Sequence, residues 1–188
     1  MLFRSLTRTL ASCFNDQRDQ RFVDHAMAQL LAQRIYAVGL GYEDLNDHAE
    51  LRRDPLLATA CDKPDPLGQD RFNPQDRGIA LASPSTLNRL ELSNSKATLA
   101  HKLPHDPAKV EACLLTMGVR CLPKHAKEIV LDLDSMGHLL HGLQEGRHYN
   151  DYYGDYCYLP LYIVAGEVVL WAQLRTSDQD GADGVVPA

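Results

Sequence analysis

The sequence changes character at Glu128. Residues 1–127 carry apolar side chains at helical spacing, in short stretches separated by polar turns that contain proline. From residue 128 onward the apolar residues form short runs bounded by glycine and proline, which is the pattern of β-strands. The sequence therefore predicts an α+β chain in which a helical N-terminal region, residues 1–127, precedes a strand region, residues 128–188.

The helical region contains recognisable helix boundaries. Apolar residues at helical spacing predict a helix over residues 23–38, which Gly39 can end. A capping side chain followed by proline marks three further helix starts: Asp54-Pro55, Ser83-Pro84 and Asp106-Pro107. We expect Gly118 to end the last of these helices, and residues 63–78, which are rich in proline and glycine, to form a mobile loop.

Three strands are predicted in the second region. Residues 129–134 are typical of a short buried strand, and residues 156–164 and 168–174 of a hairpin that turns at Gly166. Pro160 has no backbone N–H group, so it implies a bulge or an edge position in the second strand.

A pair of carboxylates, Asp132 and Asp134, ends the first strand. Side chains at positions i and i+2 of a strand point to the same face, about 7 Å apart. Two carboxylates on an apolar strand are costly unless they are paired, hydrated or bound to a cation, and the cation that prefers oxygen ligands is Mg²⁺ or Mn²⁺. The alternative is that an aspartate at a strand end caps the following turn.

Histidine and tyrosine are concentrated after this pair. His138, His141 and His148 have no cysteine pair beside them, which favours solvent exposure or a phosphate contact over a zinc site. Six of the eight tyrosines lie within residues 149–162. These side chains either pack in the core and at its rim or stack on nucleic-acid bases.

Composition sets few limits on partners. The chain has 19 Lys and Arg against 25 Asp and Glu, a net charge of −6, yet a local basic face is enough to bind phosphates. Residues 101–127 are basic, with five Lys and Arg against two acids, whereas residues 128–155 carry six acids against Arg147 alone. This order suits an enzyme that acts on a polyanion, although a solvated surface explains it as well.

The cysteines and the hydropathy pattern indicate a cytoplasmic protein. Five cysteines without a Cys-x-x-Cys pair are typical of reduced, mostly buried thiols. No apolar run reaches the ~18 residues that a membrane-spanning helix needs, so we expect no membrane partner.

Several segments, in this order, resemble bacterial insertion-sequence transposases with a DDE (Asp-Asp-Glu) domain of the group-1 type. They are residues 11–19, 33–48, 53–57, 85–91, 129–134, 144–147 and 156–162. The most specific are Gly-Tyr-Glu-Asp-Leu-Asn-Asp-His, residues 41–48, and the tyrosine-rich strand, residues 156–162.

The resemblance implies an RNase H-like catalytic core, of which residues 128–188 hold the first three antiparallel strands. It also implies Mg²⁺ or Mn²⁺ as cofactor, transposon ends and target DNA as partners, and DNA strand cleavage and transfer as the reaction. Asp134 is the candidate first catalytic carboxylate and metal ligand because Ser135 follows it, although Met136 departs from the family pattern. Asp132 is the second candidate or a helper of Asp134.

Full members of this family are more than twice as long, and their second Asp and their Glu follow the part that this chain resembles. Asp178, Asp180 and Asp183 lie in a polar tail without strand or helix character, so they are not expected to replace those residues. We therefore expect a truncated, nucleoid-associated transposase fragment that is inactive alone. The apolar edge of residues 129–133 is expected to be unpaired and to favour association with itself or with full-length transposase.

Two other functions remain open at this point. The helices of residues 1–127 suit a non-enzymatic DNA-binding regulator or inhibitor of transposition. The segment Leu131-Asp132-Leu133-Asp134 also resembles haloacid-dehalogenase phosphatases, with Asp132 as nucleophile and Asp134 as general acid. That motif requires parallel strands and a different residue at the position of Met136.

Overall fold

The structure, a computed structural model, describes residues 2–93, 95–98 and 101–184, with side chains from Ser5 onward. The chain divides into two compact units, Met1–Val110 and Glu111–Ala188. We call them the helical unit and the strand unit. The roles predicted for residues 1–127 and 128–188 stay predictions, because the division into compact units does not test them.

The helical unit consists of short helices around one central helix. Its helices are α1 (Leu2–Ala11), α2 (Met27–Gly39), α3 (His48–Leu51), α4 (Pro55–Ala60) and α5 (Pro84–Glu91), with 3₁₀ turns at Gln20–Phe22, Leu45–Asp47 and Pro74–Asp76. Helix α2 packs against α1, α4 and α5. Leu30 and Leu87 lie in one apolar cluster, and Ala58 and Leu81 lie in a second. Helix α6 (Pro107–Cys121) crosses the division between the units.

The helix starts predicted at the three prolines are confirmed. The Asp54 carboxylate accepts hydrogen bonds from the N–H groups of Leu56 and Leu57 at 2.7 and 3.2 Å. Ser83 caps α5 in the same way, and Asp106 accepts from the N–H of Lys109 at the start of α6. These bonds satisfy N–H groups that a helix start leaves without an intrahelical partner.

The prediction that Gly118 ends the last helix is wrong. Helix α6 continues to Cys121, and Gly118 is buried inside it. A Cβ atom at this position would lie 2.8 Å from the carbonyl oxygen of Val169 and 2.9 Å from a methyl carbon of Leu170. The glycine therefore allows α6 to lie directly against a strand of the same unit, and it does not act as a helix stop.

The strand unit contains six short antiparallel strands in two sheets. They are β1 (Asp132–Ser135), β2 (His138–Leu139), β3 (His148–Asn150), β4 (Asp155–Tyr158), β5 (Leu161–Ala165) and β6 (Val168–Gln173). The strand orders are β1-β5-β6 and β2-β4-β3. Gly166, with φ of 60°, makes the predicted turn between β5 and β6. The α+β class and the antiparallel strands are thus confirmed.

The two sheets share one continuous register. Residues 132–135 pair with residues 161–164, and residues 138–139 pair with residues 157–158 at the same offset. Between these pairs, the N–H of Met136 donates to the carbonyl of Pro160 at 3.3 Å. Strands β1 and β2 therefore run along β5 and β4 as one antiparallel ribbon. Pro160 separates β4 from β5, which are each central in their sheet, so the expected edge position is not found. The register irregularity of β5 with β6 lies between Ile163 and Val164 and not at Pro160 itself.

The first strand differs from its prediction in length and burial. It begins at Asp132 instead of residue 129, and Ile129, Val130 and Leu131 are 48 to 67% exposed. The physical reason is that β1 is an edge strand, hydrogen-bonded to β5 on one side only within the described residues. Beyond Gln173 the chain forms no helix or strand up to Gly184, as predicted for the polar tail, whose residues 185–188 lie outside the described residues.

Candidate functional site

Asp132 and Asp134 lie on one face of the ribbon, as their spacing predicts. Their cross-strand neighbours on β5 are Val164 and Tyr162. Both aspartates are exposed, because they stand on the edge strand. The structure therefore presents two carboxylates side by side on an accessible surface.

Neither carboxylate has a protein partner among the residues that the structure describes. Within the described residues no Lys, Arg or His forms an ion pair with Asp132 or Asp134, and no backbone N–H donates to them. The alternative in which a strand-end aspartate caps the next turn is not supported, since the chain continues along the ribbon through Met136. These oxygens are thus available to a ligand.

A groove lies on the same face, beside Tyr162. It has a volume of about 420 Å³. Its lining includes side chains from three neighbouring strand segments: His138, Tyr158, Pro160, Tyr162, Ala172 and Leu174. Alternate residues along β4 and β5 face the same way, so Tyr158, Pro160 and Tyr162 share the face of Asp134. The hydroxyl of Tyr158 donates to the carbonyl of Glu145, which fixes this ring at the side of the groove.

A comparison with known families shows the family to which the chain belongs. The family described as Transposase DDE domain group 1 matches residues 3–188. The chain belongs to this family of DDE transposases. No curated protein and no solved structure gives a significant match. The resemblance seen in the sequence is therefore confirmed.

DDE transposases generally use divalent metal ions, so the fit of the two aspartates to such an ion matters. Their chemistry fits, because exposed, unpaired carboxylate oxygens are the ligands that Mg²⁺ and Mn²⁺ prefer. Their number is smaller than a full ligand set: in the described residues no three His, Cys, Asp or Glu side chains form a cluster able to hold a metal ion. Asp132 and Asp134 would hold only one side of a metal site.

The surroundings of β1 do not fit the phosphatase alternative. Its neighbour β5 is antiparallel, as is every other described strand pair. The haloacid-dehalogenase motif requires parallel strands at this position. The family match and the strand directions both favour the DDE transposase.

Tyr149, Tyr156, Tyr158 and Tyr162 lie along one face of the ribbon, and we call them the aromatic strip. Tyr149, Tyr152 and Tyr156 are 41 to 88% exposed, so of the alternatives left open by the sequence, packing in the core does not apply to them. Tyr149 lies opposite Tyr156, with the rings edge to face at 5.6 Å. Because Tyr156 and Tyr162 lie an even number of residues apart on the same ribbon, the strip continues toward Asp134.

Arg147 is a candidate functional residue that the sequence did not indicate. Its guanidinium lies over the ring of Tyr156, 4.4 Å from the centroid, and donates to the carbonyl of Gly142 at 2.6 Å. The signal was its position in a segment, residues 144–147, that resembles the family. Only the pairing of β3 with β4 shows that this cation lies beside the aromatic strip.

The three histidines are exposed, as predicted for solvent-facing side chains. His148 lies 3.7 Å from Asp178, and no described group of ligands suits zinc. Four of the five cysteines are buried, and all five are free thiols, as the sequence indicates. None of the described helices is long and apolar enough to span a membrane.

Proposed function

We propose that this chain acts in DNA strand cleavage and transfer by an insertion-sequence transposase, with Asp134 as the first catalytic carboxylate and metal ligand. Asp132 is the neighbouring ligand or the helper that positions Asp134. The observation that supports this most is the placement of both carboxylates, exposed and unpaired, on the edge strand of an antiparallel sheet in a DDE transposase domain.

The strand order β1-β5-β6 supports an RNase H-like core. Three antiparallel strands, with the carboxylates on β1 and one edge of β1 open, are what the beginning of such a core requires. When bound, Mg²⁺ or Mn²⁺ supplies activation of water or of a 3′-hydroxyl and stabilisation of the leaving oxygen. The protein's own part is to hold two carboxylate oxygens at fixed positions on a rigid strand pair.

The aromatic strip supports single-stranded or distorted DNA as the substrate form. Tyrosine rings offer faces on which bases of any sequence stack, at about 1–3 kcal/mol per base. Arg147 adds a positive charge next to Tyr156, where a backbone phosphate would follow a stacked base. The strip leads along the ribbon to the groove beside Tyr162, which is the cross-strand neighbour of Asp134.

We expect no cleavage of DNA by this chain alone. The described residues bring two carboxylates together and no third acidic ligand. Cleavage would require that a further carboxylate source, such as a full-length copy of the transposase, complete the ligand set.

The direct test is the binding of Mn²⁺, followed by paramagnetic broadening of backbone NMR signals or by calorimetry. Wild-type protein is expected to show broadening centred on residues 132–135, and Asp134→Asn to lose most of it. Glu167→Gln is the matched control, because it removes one carboxylate from the turn between β5 and β6 without touching β1. Unchanged Mn²⁺ binding in the Asp132→Asn, Asp134→Asn double variant would overturn the assignment.

A second candidate function is a DNA-binding regulator of transposition. It is favoured by the incomplete ligand set on β1, since DNA binding needs no metal. Binding of duplex DNA in EDTA, with affinity that falls steeply with salt and is unaltered in Asp134→Asn, would favour the regulator. Loss of DNA binding on removal of metal would favour the catalytic role.

A further inference from the structure

The face of the ribbon opposite Asp132 and Asp134, which we call the back face, is closed where the two sheets meet. Ser135 lies opposite Leu161 across the strand pair, and both side chains point to the back face. Leu159, two positions before Leu161, points the same way. Leu159 and Leu161 are 4% and 1% exposed. The strand that carries the carboxylates is therefore supported from its other side.

The chain that follows β6 is attached to this ribbon by hydrogen bonds. The N–H of Leu159 donates to the carbonyl of Arg175 at 2.9 Å, which continues the pairing of β6 beyond Pro160. The hydroxyl of Ser177 donates to the carbonyl of His148 on β3 at 2.9 Å. The start of the polar tail is thus bound to both sheets of the strand unit.

Arg175 is a buried cation that fastens this tail, since it is 6% exposed. Its guanidinium donates to the carbonyl of Leu159 at 3.0 Å, to that of Gly181 at 3.0 Å and to that of Asp183. Among the described residues, no ion pair joins it to a carboxylate. A buried charge is costly unless hydrogen bonds satisfy it, and here the planar fork satisfies itself by joining two segments of backbone. We call Arg175 and residues 181–183 the brace.

The segment that Arg175 holds lies against β1. A Cβ atom on Gly181 would lie 2.7 Å from Oγ of Ser135, so a larger residue would force one of the two segments to move. Ser135 is the last residue of β1 and directly follows Asp134. The brace therefore contacts β1 from behind, at the residue next to the candidate metal ligand.

A second close contact lies on the other side of Met136. A Cβ atom on Gly137 would lie 2.6 to 2.7 Å from three ring carbons of Tyr153. Between Ser135 and Gly137, the N–H of Met136 donates to the carbonyl of Pro160 at 3.3 Å. The backbone that follows Asp134 is thus held on both sides of Met136.

This support matters because β1 is an edge strand. Within the described residues it is hydrogen-bonded to β5 alone, and Pro160, which lacks an N–H group, interrupts the pairing just beyond β5. Carboxylates bind a cation tightly when their positions are already fixed by the residues around them. An edge strand with an interrupted ladder needs contacts on its back face to meet that condition.

We propose that Arg175 is a positioning residue for Asp134: it holds residues 181–183 against Ser135 and so fixes the end of β1 on which the carboxylate stands. This inference rests on the role proposed for Asp134 as a metal ligand. Arg175 acts through the backbone of the tail and of β1, from the face opposite the carboxylates. Its loss therefore changes the affinity of the folded chain for the cation, in addition to any change in stability.

The first experiment measures Mn²⁺ binding to the full chain by calorimetry, at a temperature at which each variant is folded by circular dichroism. Arg175→Lys keeps the charge but lacks the planar fork, and Gly181→Ala adds a methyl group against Ser135. A residue that orients a metal ligand directly is worth about 10–100-fold in affinity, and Arg175 acts one step further away, so each variant is expected to weaken Mn²⁺ binding about three- to tenfold.

Two controls separate positioning from stability and from the substitution itself. Gly118→Ala disturbs the contact of α6 with Val169 in the same unit, so it is expected to destabilise the chain without changing the Mn²⁺ affinity of the folded form. Arg120→Lys makes the same replacement as Arg175→Lys at an exposed position on α6 and is expected to leave both unchanged. Should Arg175→Lys not fold, Gly181→Ala tests the brace by itself.

The second experiment needs no metal. Hydrogen exchange of the N–H of Met136, followed by NMR in EDTA, reports opening at the end of β1. In Arg175→Lys and Gly181→Ala this exchange is expected to become about three- to tenfold faster relative to the N–H groups of the β5–β6 hairpin. Gly118→Ala is expected to leave that ratio unchanged.

Each result decides the proposal. Folded Arg175→Lys and Gly181→Ala chains that bind Mn²⁺ as tightly as wild type overturn the positioning role and leave the metal site standing, whatever the exchange of Met136. Equal weakening in Gly118→Ala also overturns it, because stability alone would then explain the loss. Unchanged Mn²⁺ binding in Asp134→Asn overturns the proposed function and with it the purpose of the brace, so the two failures are seen separately.

Discussion

Gln33 is expected to be one of the most important polar residues for the stability of the helical unit. It lies on α2 and is 1% exposed. Its amide oxygen accepts from the N–H of Ala82 at 2.9 Å, and its amide nitrogen donates to the carbonyl of Ala82 at 3.0 Å. The same nitrogen lies 3.0 Å from Nδ1 of His48, which is fully buried.

Replacing Gln33 by leucine keeps the volume nearly unchanged but removes all three hydrogen bonds. The N–H and the carbonyl of Ala82 and Nδ1 of His48 then remain buried without partners. Each such group costs about 1–3 kcal/mol, and the added apolar burial of leucine offsets about 1–2 kcal/mol. We expect Gln33→Leu to lower the free energy of unfolding by about 3–5 kcal/mol, a large part of the ~5–15 kcal/mol typical of a domain.

The assay is urea denaturation followed by far-UV circular dichroism, which reports the helices. The fluorescence of Trp171, the single tryptophan, follows the strand unit in the same samples. Gln75→Leu makes the same change at an exposed position and is expected to alter the free energy of unfolding by less than about 0.5 kcal/mol. A loss below about 1 kcal/mol in Gln33→Leu, or an equal loss in Gln75→Leu, would refute the reasoning.

Three further predictions concern pH, packing and thiol chemistry. The pKa of His25 is lowered to about 3 in the folded chain, whereas an unfolded histidine has a pKa near 6.5, so the unfolded state binds more protons between these values. The contribution of His25 to the free energy of unfolding is therefore expected to be fully present above about pH 6.5 and to fall by up to about 1.4 kcal/mol per pH unit as the pH drops toward 3. Urea denaturation at several pH values measures this fall. A His25→Gln variant with the same dependence on pH would contradict the prediction. Gly118→Ala is expected to lower the free energy of unfolding by about 1–3 kcal/mol, because its Cβ would lie 2.8 Å from the carbonyl oxygen of Val169. Gly39→Ala, whose Cβ would have no atom within 4 Å, is expected to be neutral or slightly stabilising when both variants are measured by urea denaturation. Cys121, the exposed cysteine, is expected to react first with a thiol reagent, while burial raises the pKa of Cys61 to about 12 and delays its reaction until unfolding; mass spectrometry of partly labelled protein identifies the order.

Local features of the chain were predictable where they depend on adjacent residues. A capping side chain followed by proline stops the preceding segment and starts a helix through bonds within three residues, so the starts of α4, α5 and α6 were correct. The turn at Gly166 and the hairpin of β5 and β6 follow from short-range alternation in the same way.

Predictions failed where a residue's role depends on a distant neighbour. Gly118 has the composition of a helix stop, yet it serves the contact of α6 with Val169, which is 51 positions further along the sequence. The apolar run of residues 129–131 has the composition of a buried strand, yet β1 lies at a sheet edge. Alternation of residue types does not reveal which strand is central and which is at the edge, because that depends on pairing.

The candidate carboxylates were found from the sequence because their spacing alone places them on one face of a strand. Their freedom from ion pairs, and the groove and aromatic strip beside them, depend on the register of β1 with β5 and of β3 with β4. The buried cluster of His25, Lys63 and Arg71 had no sequence signal, because these residues come from separate segments of the chain.

The amino-acid sequence by itself therefore determines the family and the type of most segments, because capping, alternation and short motifs act over a few positions. Burial, edge position and the neighbours of each charged group came from folding alone. The physical reason is that these properties are set by contacts between residues far apart in the chain. The environment of a buried cation such as Arg71 is set only when His25 and Asp24, more than forty positions earlier in the sequence, pack against it.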